Sequence, residues 1–219
     1  MKIKTGYFAF LLAAGVCLML SCASNKPSVQ PELLNGPGWT TENNNLHQID
    51  GPPLSDGDTM AFRVYRSGSP SKETFAKWCR DYHIQHVIDM AGTATDNERA
   101  YQKAGICPNI EIIYSEKQDP ATPVTKEFLK FFDEQVEQSK SENVGILFRG
   151  TTGSHRTGRL AAYYQMKYQD LEPDEAIKVM DHLGVAMAAF DAVLQPQVRA
   201  LHDYVHGRPC SQPAQYCVK

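Results

Sequence analysis

One stretch of the sequence, Asn143 to Tyr163, constrains the fold more than any other. The apolar run 144–148 predicts a buried strand, and residues 156–163 open an apolar-periodic helix. A short loop rich in Gly, Ser and Thr lies between them. This arrangement directs backbone N–H groups and the positive end of a helix dipole toward one point. The sequence therefore predicts an anion loop here, in which phosphate is bound by Thr151, Thr152, Gly153, Ser154, His155 and Arg156.

Arg156 is the side chain best suited to hold phosphate in the anion loop. A guanidinium can donate two parallel hydrogen bonds to a pair of phosphate oxygens. The alternative is a surface arginine at a helix start, where the helix dipole disfavours a cation. A bound anion removes that cost, so we assign Arg156 to phosphate binding.

The anion loop resembles that of the cysteine-dependent tyrosine and dual-specificity phosphatases. Their loop runs His-Cys, two residues, Gly, two residues, Arg, Ser or Thr, and Gly. Four residues fall in register with it: Gly153, Arg156, Thr157 and Gly158. Arg149 stands where the family has His, and Gly150 where it has the nucleophilic Cys. The resemblance implies an α/β fold with a central, mostly parallel sheet flanked by helices.

Gly150 decides which activity the resemblance implies. The family's chemistry needs a thiolate nucleophile, and glycine has no side chain. Our first interpretation is therefore a phosphate-binding, catalytically impaired member of this superfamily, a pseudophosphatase. One alternative is an active phosphatase on phosphoproteins or inositol phosphates, if Gly150 is a change from Cys. Another is a structural lipoprotein with a vestigial site.

A general acid is the second catalytic group that the resemblance implies. Asp119 lies thirty-one residues before Gly150, on a loop between a predicted strand and a predicted helix. In the family, such a residue protonates the leaving oxygen. An Asp before Pro120 is also an ordinary turn residue, so both roles stay open. Glu116 is the reserve candidate for the acid.

Four further residues have two interpretations each. Thr157 matches the family hydroxyl that helps the thiolate depart, or it bonds backbone at the helix start. His155 adds positive charge at mildly acid pH, or forms the rim. Arg66 is a second phosphate contact or an ion-pair partner. Arg149 enriches the site for polyanions, or points away into an ion pair.

The remaining pattern predicts one α/β domain over residues 61–206. Strands are expected at 62–67, 86–90 and 110–114, alternating with helices. Thr122 and Pro123 predict the start of the helix that precedes the 144–148 strand. A last helix is expected over 185–205.

The N-terminus predicts export. Two lysines precede a short apolar stretch, and Leu20-Ser21-Cys22 resembles a bacterial lipoprotein cleavage site. We therefore expect a signal peptide over 1–22, lipidation of Cys22, and a tether and irregular lead-in over 23–60. An ordinary signal peptide cut nearby is the alternative. Ala23 after the cysteine favours an outer-membrane lipoprotein facing the periplasm.

Cysteine content and charge limit the partners. In the exported chain, Cys210 with Cys217 is the preferred disulfide and closes the 207–219 tail, whereas Cys79 and Cys107 are either paired or free. No paired Cys-x-x-Cys or His cluster is present, so we expect no metal and no cofactor. A net charge of −3 excludes general attraction to nucleic acid. The expected partners are a phosphorylated ligand and a membrane, reached through the lipid anchor.

Overall fold

The computed structural model describes residues 33–34, 36–54, 60–94 and 96–219. The predicted signal peptide and Cys22 lie outside the described residues. Among the described helices, none is both long and apolar enough to cross a membrane.

A single sheet organises the described part of the chain. Its five strands are β1 (His47–Asp50), β2 (Arg63–Ser67), β3 (Ile84–Asp89), β4 (Glu111–Ser115) and β5 (Gly145–Arg149). They lie in the order β1-β2-β5-β3-β4. β1 runs antiparallel to β2, and every other neighbouring pair is parallel. A central, mostly parallel sheet flanked by helices confirms the predicted α/β fold class.

Helices cover both faces of this sheet. Over the described residues they are α1 (Lys72–Asp81), α2 (Glu98–Lys103), α3 (Lys126–Glu142), α4 (His155–Tyr168), α5 (Pro173–His182) and α6 (Asp191–Val205). Thr125 caps α3, because its side chain accepts a hydrogen bond from the Phe128 N–H at 3.1 Å. The predicted start at Thr122 was therefore wrong by one turn. The last helix also starts later than predicted, after Ala186 breaks the helical path with a φ of +55°.

The strands divide their side chains between two hydrophobic clusters. On one face, Tyr65, Val87 and Leu147 pack with Phe75 and Trp78 of α1. The neighbouring strand residues point to the other face and pack with α3 to α6, among them Val64, Ile88, Ile146, Phe148, Phe132, Leu160 and Leu194. This two-residue alternation is what a sheet covered on both faces requires.

We expected the segment before residue 61 to be irregular, but part of it is ordered. Residues Glu42–Asn45 form a tight turn in which Asn43, Asn44 and Asn45 have φ of +48°, +56° and +56°. Asparagine tolerates this left-handed conformation better than most residues. The turn leads into β1, so the folded sheet begins before the predicted boundary.

Two disulfides close loops of the folded domain. Cys210 pairs with Cys217, as preferred from the sequence. Cys79 at the end of α1 pairs with Cys107, which settles the choice that the sequence left open.

Candidate functional site

The anion loop connects the end of β5 to the start of α4. Gly153, at its centre, has a φ of +72°, which L-residues with side chains rarely adopt. A β-carbon there would lie 2.7 Å from the Gly68 nitrogen and 2.9 Å from Nδ2 of Asn45. Glycine is therefore required both by the backbone conformation and by the close approach of the β2 end.

The carbonyl groups of the anion loop are tied to the surrounding scaffold. The Gly150 and Thr151 oxygens accept from Oγ and N of Ser69, at 3.2 and 3.1 Å. The Thr152 oxygen accepts from Nε1 of Trp39 at 3.0 Å. The Gly153 oxygen accepts from Nδ2 of Asn45 at 3.3 Å and from Arg66.

These ties determine where the N–H groups of the loop point. In a planar trans peptide, the N–H of the next residue points opposite to the carbonyl. The N–H groups of residues 151–154 are therefore turned away from the scaffold. None of them donates to a protein acceptor in the described part of the chain. Free, convergent N–H groups beside a helix N-terminus form a site for an anion.

Arg156 lies beside these N–H groups on the first turn of α4. One of its terminal nitrogens donates to the Met90 carbonyl, and the other donates to Oγ1 of Thr151 at 3.0 Å. Burial lowers the pKa of Arg156, and Asp89 opposes that shift. The guanidinium remains a cation at neutral pH and is held at the mouth of the loop.

Gly150 and Thr157 lie at the bottom of the loop. Thr157 is fully buried, and its Oγ1 donates to the Ser67 carbonyl at 3.4 Å. It thus bonds backbone of β2 rather than the start of its own helix. A β-carbon at Gly150 would contact both this hydroxyl and the guanidinium of Arg156. The position that would carry a nucleophile is empty of side-chain atoms.

Ser154 and His155 belong to the loop through their backbone, while their side chains face elsewhere. Oγ of Ser154 accepts from the Val185 N–H at 3.0 Å. The His155 ring lies against Phe190, with ring centroids 3.9 Å apart. Burial lowers the pKa of His155, which disfavours the charged form of the ring. This geometry favours the rim role for His155.

Arg149 points away from the site into a buried ion pair. Its Nη1 lies 2.8 Å from Oδ1 of Asp89, and its Nε contacts Glu98. All three side chains are at most 1% exposed. Asp89 also accepts from the N–H groups of Thr93 and Ala94, at 2.6 and 2.7 Å, so it shapes the loop after β3. The ion-pair interpretation of Arg149 is therefore correct.

Arg66 contacts the anion loop from behind. Its Nη2 donates to the Gly153 carbonyl, and the side chain is fully buried. Arg66 is therefore not a direct phosphate contact. No ion pair of Arg66 is recorded among the described residues.

Asp119 lies near Arg156 but is held in a turn. Its carboxylate accepts from the Ala121 N–H at 3.0 Å and from Oγ1 of Thr122 at 2.9 Å. These hydrogen bonds lower the pKa of Asp119. Asp119 and Arg156 both line a cleft of about 390 Å³ that Glu116 does not line. Both open roles of Asp119 thus have a geometric basis.

Sequence reasoning missed the residues that fix the Asp119 loop. Arg159 of α4 donates to the Thr122 carbonyl at 2.6 Å and also contacts Gln197 of α6. Gln197 donates to the carbonyls of Pro120 and Ala121, each at 3.2 Å. In the sequence, Arg159 and Gln197 are marked only as polar residues on otherwise apolar helix faces.

A larger cavity, of about 430 Å³, lies near the start of β3, beside Cys79 and Cys107. Its lining is mostly apolar and contains no helix N-terminus, so it does not compete as an anion site. Within the described ranges, no group of three or more His, Cys, Asp or Glu is placed to hold a metal ion.

Solved structures of the tyrosine/dual-specificity phosphatase-like class resemble this chain. P. aeruginosa TpbA aligns with a TM-score of 0.56 at 20% identity, over 78% of this chain and 99% of that one. A TpbA variant in complex with pTyr gives the same values, with 98% of that chain covered. PTPMT1 in complex with PI(5)P aligns with a TM-score of 0.52 at 16% identity, over 74% and 97%.

At these identities the likeness establishes the fold, which is that of the tyrosine/dual-specificity phosphatase class. No protein-family model matches the chain, and no curated protein matches it.

Proposed function

We propose that this protein binds a phosphorylated ligand in the anion loop and does not hydrolyse it efficiently. The observation that carries the proposal is the state of the loop. Its N–H groups are free and turned away from the scaffold beside Arg156, yet Gly150 supplies no nucleophile. Ground-state contacts to phosphate are thereby kept, while the covalent path is absent.

Two structural neighbours suggest the ligand class. TpbA and PTPMT1 were crystallised with pTyr and PI(5)P, each of which carries a phosphate monoester group. We carry this to the present chain as a phosphoprotein or an inositol phosphate. The cleft beside Arg156 also contains Lys117, which adds a second cation for such ligands.

Thermal denaturation with and without inorganic phosphate tests the binding proposal. Saturation at about 100 times the Kd should stabilise the protein by about 2.7 kcal/mol. Arg156→Ala should abolish this stabilisation, because the guanidinium at the loop is lost. Lys167→Ala is the matched control: Lys167 lies on the same helix and pairs with Asp133. No stabilisation of the unmodified protein would reject the proposal and favour a vestigial site.

The alternative is an active phosphomonoester phosphatase. Turnover of p-nitrophenyl phosphate by the unmodified protein, lost in Arg156→Ala, would establish it. We also propose export and anchoring through Cys22, on the basis of the N-terminal sequence alone. Cys22→Ala should release the protein from the membrane fraction if the anchor is real.

A further inference from the structure

Arg66 carries a buried positive charge that no acidic residue in the described ranges neutralises. Its side chain is 0% exposed, and its Nε and Nη1 have no hydrogen-bond partner among the described residues. Burial lowers the pKa of Arg66 to about 9, so the guanidinium stays mostly protonated at neutral pH. Burying an unpaired charge is strongly unfavourable, so the presence of this arginine needs an explanation.

The groups around Arg66 do not supply a counter-charge. His47 lies opposite Arg66 in the β1–β2 register. Burial, Arg66 and His182 together lower the pKa of His47 to about 4, so this ring is neutral at pH 7. The polar side chain that shares the Gly153 carbonyl with Arg66 is Asn45, an uncharged amide.

Within the described ranges, one hydrogen bond of Arg66 connects its charge to the anion loop. Its acceptor is the Gly153 carbonyl, and the other end of that peptide is the Ser154 N–H, which faces away from the scaffold. A cation bonded to the carbonyl polarises the peptide and strengthens its N–H as a donor. The charge also attracts any anion in the loop in proportion to the anion's own charge.

We propose that Arg66 is a positioning residue of the anion site: it orients and polarises the Gly153–Ser154 peptide and makes the loop select dianionic over monoanionic ligands. This rests on the proposed function, because it requires that the loop binds phosphate. Arg66 does not touch the ligand. A bound phosphate monoester dianion is the counter-charge that the described part of the chain does not provide.

Calorimetric titration with two probes of one shape tests this role. Methyl phosphate is a dianion at pH 8, whereas methyl sulfate is a monoanion with the same arrangement of oxygens. Arg66→Met should weaken methyl phosphate binding by about tenfold or more but methyl sulfate binding by only about threefold, because the lost attraction scales with ligand charge. Arg66→Lys keeps the charge and should retain most of the preference, which also covers the case in which Arg66→Met does not fold.

Arg63→Met is the matched control. Arg63 lies on the same strand, is also 0% exposed, and donates to the Pro52 carbonyl at 2.9 Å, away from the loop. It should change both affinities by about twofold or less. The role of Arg66 would be overturned if Arg66→Met weakened the affinity for both probes by the same factor. Loss of the preference for methyl phosphate over methyl sulfate in Arg66→Lys or Arg63→Met would also overturn it. If the unmodified protein binds neither probe, the proposed function falls together with it.

Discussion

A β-carbon at Gly150 would stand 2.9 Å from Oγ1 of Thr157 and 3.9 Å from Nε of Arg156. A side chain at position 150 would therefore point into the anion loop, toward the guanidinium. The short contact is to a single hydroxyl oxygen, so Thr157 or the loop must shift slightly to admit a side chain here. A cysteine introduced at position 150 would accordingly lie next to groups that can stabilise a thiolate.

Gly150→Cys should create hydrolysis of p-nitrophenyl phosphate. The thiolate would be stabilised by the loop N–H groups and Arg156. We expect a rate at least about 100-fold above that of the unmodified protein, as for one well-placed catalytic group. Gly150→Ala adds the same β-carbon without a thiol and should stay inactive. Equal rates in the Cys and Ala variants would contradict the prediction.

The activity of Gly150→Cys should depend on Asp119 when the leaving group is poor. The hydrogen bonds that lower the pKa of Asp119 keep it ionised at neutral pH, so the acid form grows as pH falls. The rate with phenyl phosphate should therefore decrease as pH rises from about 4 to 7. Asp119→Asn should lower that rate about 100-fold and weaken the pH dependence, with a smaller effect on p-nitrophenyl phosphate. A pH profile unchanged by Asp119→Asn would assign Asp119 to the turn alone.

Arg149→Met should destabilise the fold strongly. It would leave Asp89 and Glu98 buried without their cation, which costs about 3–5 kcal/mol. Urea denaturation measures this, with Arg80→Met as the control. Arg80 is 71% exposed and pairs with Asp81 in solvent, so its loss should change the urea midpoint little. For the same reason, adding Arg149→His to Gly150→Cys should lower stability rather than improve activity.

Stability should rise with pH between about 4 and 6.5 because of His47. Its pKa is lowered from 6.5 to about 4 in the folded protein, so the unfolded state binds more protons in that window. The stability that comes from the neutral ring is therefore present above pH 6.5 and is lost as the pH falls toward 4. His47→Gln should flatten the dependence by about 1–3 kcal/mol, measured by urea denaturation at both limits. An unchanged slope would show that other groups dominate.

The two disulfides should contribute unequally to the free energy of unfolding. Their sequence separations are 28 for Cys79–Cys107 and 7 for Cys210–Cys217. Loop-closure entropy then gives about 3.6 and 2.4 kcal/mol respectively. Paired Cys→Ala variants at each bridge, compared by urea denaturation, test this order. Four free thiols in the non-reduced exported protein, found by mass spectrometry, would contradict both bridges.

The sequence predicted the parts of the fold that repeat a pattern. The apolar strands and the strand, loop and helix around Gly153 are local, periodic signals, and the structure contains them. β1 was missed because its four residues, His47–Asp50, bury only Ile49 and follow three asparagines. Thr122 was taken as a helix cap, but its hydroxyl binds Asp119 instead, and Thr125 caps the helix.

Local sequence patterns could not predict which side chains contact each other across the fold. Arg149 meets Asp89 and Glu98, which lie more than fifty positions away in the chain. Arg66 reaches a loop that follows a different strand. A charge at a strand end gives no indication of which distant group will face it, so the sequence left both roles open.

Trp39 and Asn45 set a lower limit on how short a functional chain can be. A protein shortened to begin at residue 61 keeps the parallel strands and the full loop sequence. It loses the indole and amide donors to the Thr152 and Gly153 carbonyls. Freed peptides can rotate, and a rotated peptide presents a carbonyl oxygen where an anion needs an N–H. The segment that shapes the anion loop therefore includes residues upstream of the predicted domain boundary at residue 61.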